Sequence, residues 1–146
     1  MKSYHNIMLR NLSHKDPVIE KEIISLVGKE FDLFNKIKKG GVGSKRLLIK
    51  KSDNKIYEIL SKSYDLNECN IEIRKKGIIV YFKSKQITYG LAIPYYKLII
   101  FKVDEKHYTI NFEDHFLKVR VKNKSDHKFF FKISEHKAIF LKDAIS

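Results

Sequence analysis

The chain has 146 residues, 43% of them hydrophobic and 12% aromatic, which suits one domain with one core and excludes a disordered tail. Thirty Lys and Arg against 17 Asp and Glu leave a net charge of +13, which attracts nucleic acid or an anionic surface whatever the fold. Cys69 is the one cysteine, so an intrachain disulfide and a thiolate metal cluster are excluded, and its place beside a strand marks a small buried hydrophobe.

The opening MKSYHNIMLRNLSHKDP lacks the apolar core and the small-residue cleavage site of a signal peptide, and no apolar run reaches the ~20 residues of a membrane span. A cytoplasmic location is expected. Asp16-Pro17 then starts a helix, with Asp as N-cap and Pro at the first helical position. Ile19, Ile23, Leu26, Val27, Phe34 and Ile37 recur at offsets of three and four, and Gly40 supplies a left-handed stop, predicting one helix over 17–39, roughly 30 Å long. RLLIKK (46–51) reads as a short strand. Ser52 or Asp53 caps a second helix through KIYEILSKSY, with Ile56, Ile59, Leu60 and Tyr64 on one side.

From Asn70 the period becomes two. NIEIRK, GIIVYFKS, QITYGLAI, YKLIIFKV, HYTINF and HFLKVRVK are candidate strands, and their junctions are too short for parallel crossovers. An antiparallel meander follows, with Pro94 at an edge, bulge or corner. In the tail DHKFFFKISEHKAIFLKDAI, Phe130, Ile133, Phe140, Leu141 and Ala144 suit a helical face, while Phe129, Phe131 and Ile133 also suit a strand. Its length, a cap at Ser125 or Asp126, and Lys142 near its end favour a helix over 126–144. The expectation is a single α+β domain over 1–146. A helical part with a short strand (1–66) packs on a curved antiparallel meander sheet or partly open barrel, closed by a C-terminal helix (70–146).

KKGGVGSKR (38–46) has the composition of a phosphate-binding loop but the wrong order: a helix runs into the glycines and a strand leaves them. A helix C-terminus presents carbonyls, which repel anions. What remains is a cluster without one intervening acid: Lys36, Lys38, Lys39, Lys45, Arg46, Lys50 and Lys51. LKVRVK sets Lys118, Arg120 and Lys122 on one strand face about 6.7 Å apart, suited to a row of phosphates or to protecting a sheet edge. Arginine, which forks onto phosphates, is scarce: four residues against 26 lysines. An AT-rich genome would enrich lysine without any ligand.

Tyr81, Tyr89, Tyr95, Tyr96 and Tyr108 offer stacking faces or simply fill the core. His5, His14, His107, His115, His127 and His136 contain no close pair at ligand spacing, and nothing sets a nucleophile beside a base. No catalytic residue, metal or cofactor is expected.

GGVGSKRLLIK (40–50) and IEIRKKGIIVYFKSKQITYGLAIPYYKLIIFK (71–102) resemble small basic proteins of the Bacteroidota, a likeness that brings no activity or ligand with it. The run from Asn70 is also similar to pleckstrin-homology-like domains, through Lys76-Gly77-Ile78, Ile93-Pro94-Tyr95, the meander and the closing helix. That resemblance implies binding of phosphoinositides, peptides or proteins, with Arg74, Lys75 and Lys76 in the first hairpin loop. Six strands follow residue 70; RLLIKK would have to supply a seventh. The sequence therefore points to a non-catalytic module for an anionic partner, RNA or a ribonucleoprotein surface first. A protein adaptor using helix 17–39 comes second and an anionic membrane surface at Arg74–Lys76 third, with the oligomeric state open.

Overall fold

A computed structural model describes residues 9–63 and 66–145, so His5 and Tyr64 lie outside the described residues. One eight-stranded antiparallel sheet dominates: β1 (Leu9–Asn11), β2 (Leu47–Ser52), β3 (Glu68–Ile73), β4 (Gly77–Ser84), β5 (Ile87–Pro94), β6 (Leu98–Asp104), β7 (His107–Phe112) and β8 (His115–Arg120). Their order is β1-β5-β4-β3-β2-β8-β7-β6. The six strands read from the alternating pattern are β3 to β8, and RLLIKK is β2, which bridges β3 and β8. β1 was not expected; three residues are too few to display a period, and it pairs with β5 through Leu9 and Leu91.

Ile71, Val80 and Leu91 from one end of the sheet share a single apolar cluster with Ile110, Leu117 and Val119 from the other. The sheet is therefore curved around its concave face, yet open between β1 and β6. Helix α4 (Lys124–Ile145) settles the tail as helical. Its Phe130 ring stacks on Tyr108 at 4.3 Å, its Phe140 ring meets Tyr95 at 5.8 Å, and Ile133 is fully buried. Buried Asp126 accepts the Lys122 amide at 2.8 Å and fixes the turn from β8 into α4. Pro94 stands at the corner leading into a 3-10 turn, Tyr95–Lys97.

The predicted helix over 17–39 is two helices. α1 (Pro17–Val27) starts at Asp16, which accepts the amides of Val18 and Ile19 at 2.9 and 3.5 Å. It packs Ile23 and Val27 on Ile79 and Ala92, on the convex side of β4 and β5. The chain then turns at Gly28, whose φ of +88° favours glycine. The Lys76 amide donates to the Val27 carbonyl, and Arg74 donates to that of Gly28. A new cap, Asp32, accepts the Asn35 amide and starts α2 (Leu33–Lys38). Phe34 and Ile37 keep the helical spacing but are 72% and 71% exposed, so they extend no packing stripe. α3 (Asn54–Leu60) follows Asp53, whose carboxylate caps nothing in the helix; it accepts the Phe116 amide at 3.1 Å and pairs with His115 Nδ1 at 3.0 Å.

Candidate nucleic-acid interface

β2 and β8 are distant in sequence and adjacent in the sheet, so two of the basic segments meet. Lys51 lies directly opposite Lys118, and Leu48 opposite Arg120, with a register shift between Ile49 and Lys51 that leaves Lys50 in a bulge. Leu117 and Val119 are wholly buried on the concave side, so the intervening Lys118 and the following Arg120 face out. Like charges directly opposite destabilise a ladder, yet among the described residues no acid forms a salt bridge with Lys51, Lys118 or Arg120. Lys122 does not complete the row: β8 ends at Arg120, and Lys122 stands in the turn to α4.

The register extends this face across two more strands. Lys118 is opposite Thr109, and Thr109 opposite Phe101. Beside that row, Phe116 faces Asn111 and Asn111 faces Ile99; on the other side Arg120 faces His107. α1 covers β4 and β5, while α3 and α4 send their buried residues into the concave core. The convex side of β2, β8, β7 and β6 is left to solvent, with Ile99, Phe101 and Val103 54%, 63% and 48% exposed.

The remaining basic candidates scatter. Lys36 pairs with Glu30, lowering that carboxyl's pKa chiefly by its hydrogen bond. Lys39 lies over the Phe31 ring at 4.9 Å, and Lys38 and Lys45 are exposed. Arg46 reaches Glu68 at 4.0 Å on the convex side, where with Lys83 and Tyr81 it lines a hollow of about 540 Å3. Arg74 is committed inside the fold: it donates to Glu72 at 3.2 Å and to the Gly28 carbonyl at 2.9 Å, leaving Lys75 and Lys76 as the exposed cations of that loop.

The glycine loop holds a cation. The carbonyls of Lys39, Gly40 and Gly41 accept from Lys132 Nζ at 2.9, 3.4 and 3.0 Å. A helix C-terminus with its carbonyls turned on an ammonium agrees with the dipole argument against a phosphate cradle.

The tyrosines belong mainly to the core. Tyr95 is buried and donates to the Arg74 carbonyl at 2.8 Å, Tyr108 stacks on Phe130, and Tyr89 stacks on Phe82 at 5.5 Å. Tyr81 donates to Glu72 at 2.7 Å, and burial followed by that carboxylate raises its pKa; Tyr96 alone of the five is exposed. The exposed aromatic ring on the open sheet is Phe101, with Phe116 half-buried on the same face; sequence reasoning missed Phe101 because LIIFKV carries apolar residues in both phases of the alternation. Cys69 is buried in β3, its thiol pushed up to about 12 by burial and then Glu68.

Comparison with protein-family models, curated proteins and solved structures finds no match.

Proposed function

We propose that the chain is a non-catalytic, cytoplasmic binding module for an anionic polymer, RNA or the RNA of a ribonucleoprotein surface. The observation that carries this reading is the opposition of Lys51 and Lys118 beside Arg120, without salt-bridged acids among the described residues, on an uncovered sheet face. A phosphate chain lying across β2 and β8 would relieve that repulsion. The test is the double variant Lys51→Ala/Lys118→Ala assayed for RNA binding beside Lys38→Ala/Lys75→Ala. The first pair should lose affinity about tenfold or more and the second little, since diffuse charge alone would weaken both equally.

The pleckstrin-homology-like reading gains support from β2, which supplies a seventh strand before the six others, and from the closing α4. Counted that way, the first hairpin connection is residues 53–67, and Arg74–Lys76 lie in the second. Such a fold does not choose the ligand. The membrane reading at Arg74–Lys76 has lost its arginine to Glu72 and Gly28.

A second reading, the protein adaptor, has its own observation: α2 buries no residue and presents Leu33, Phe34 and Ile37 at 73%, 72% and 71% exposure. Affinity capture from cells with nuclease tests it. A partner retained after nuclease and lost with Phe34→Ser supports the adaptor; one released by nuclease supports RNA.

A further inference from the structure

We infer that the open face takes a single strand rather than a duplex, with one base stacked on Phe101 and neighbouring phosphates on Lys118 and Lys51. This deepens the anionic-polymer reading and rests on it. Phe101, Thr109, Lys118 and Lys51 lie in one cross-strand line. With strands about 4.8 Å apart, the ring's strand is roughly 10 Å from that of Lys118, a gap that the lysine's four-carbon stem partly spans.

The floor between them is low. Thr109 is short, and Asn111 is folded onto the sheet, donating to Thr109 Oγ1 at 2.9 Å and to the Ile99 carbonyl at 3.2 Å. Ile99 and Val103 flank Phe101 on the same exposed side, so a base on the ring would meet apolar neighbours.

These residues are displayed by the face of β6 more than by its edge. Lys137 of α4 donates to the Leu98 carbonyl, and the ladder register shifts between Lys102 and Asp104. Both features blunt strand addition. A duplex keeps its base faces stacked inside and would meet the lysines while leaving Phe101 bare; an unpaired strand can splay a base onto an aromatic ring while its backbone follows the charges.

The experiment measures fluorescence anisotropy of the full chain with a labelled oligouridylate of roughly twelve nucleotides, a length within the usual single-strand site size, and with an RNA duplex of equal length. Phe101→Ala should weaken the single strand about tenfold, the scale of losing one stacked base, and leave duplex affinity and salt dependence unchanged. Phe101→Tyr should restore binding. Equal single-strand affinity for Phe101→Ala and the parent, or a duplex bound as tightly as the single strand, overturns the inference. In that case weakening by Lys118→Ala would show that the anion reading itself survives. If the parent binds neither RNA, that reading falls and takes this inference with it. Conversion of a parent dimer to monomer by Phe101→Ala, seen in light scattering, would reassign the strip to a contact between copies and also overturn the inference.

Discussion

At Gly77 a methyl group would stand 2.3 Å from the Ile93 carbonyl oxygen, 2.7 Å from Val27 Cγ1 and 2.8 Å from Pro94 Cα. Two of those atoms are backbone, so rotation cannot clear them. Gly77→Ala should cost about 1–3 kcal/mol, read as a lower urea midpoint. Gly43→Ala meets nothing within 4 Å and should stay within about 0.5 kcal/mol of the parent. His136 carries a pH signature: burial first, then Lys39 and Lys132, lower its pKa against the opposing pull of Glu135, with the Phe31 ring 6.3 Å away. The folded state then binds a proton less readily than the unfolded state. Stability should therefore fall as pH drops below the unfolded histidine value of about 6.5, until the lower folded pKa is passed. Chemical denaturation between neutral and mildly acidic pH checks this, and His136→Asn should flatten that segment. Glu30 has a lowered carboxyl pKa, so its contribution is present above the unfolded value of about 4.3 and lost below it, a separate and more acidic window.

At the scale of elements, the β2–β8 ladder holds two like charges opposite each other, and the proposed binding predicts a trade between stability and affinity there. Lys51→Glu would place a carboxylate opposite Lys118, and opposite charges across a ladder contribute roughly 0.2–1 kcal/mol. The variant should melt slightly higher and bind RNA more weakly; thermal unfolding and anisotropy on one preparation read both. The meander was legible because buried Leu117 and Val119 alternate with Lys118 and Arg120, a period of two that survives in the sequence. The break between α1 and α2 was not, because Phe34 and Ile37 preserve helical spacing while pointing at solvent. Gly28, inside that apparent stripe, was the signal that had been available. Nor does any local pattern bring RLLIKK beside HFLKVRVK: strand pairing between distant segments is set by how the sheet curls around its core, and in the sequence the two basic segments stand as separate clusters.

For the whole molecule, the net charge of +13 says less than its distribution. Lys36 is paired, Lys132 neutralises carbonyls and Arg74 is pinned inside, while Lys51, Lys118 and Arg120 stand together without acidic partners among the described residues. Genome composition would sprinkle lysines over a surface; the proposal rests instead on their alignment with an aromatic ring across four adjacent strands. The decisive measurement is the affinity of the full chain for a single-stranded oligouridylate as a function of salt. If Lys51, Lys118 and Arg120 each neutralise one phosphate, the logarithm of the association constant should fall against the logarithm of salt with a slope of about −2. A complex whose affinity does not change with salt would contradict the assignment.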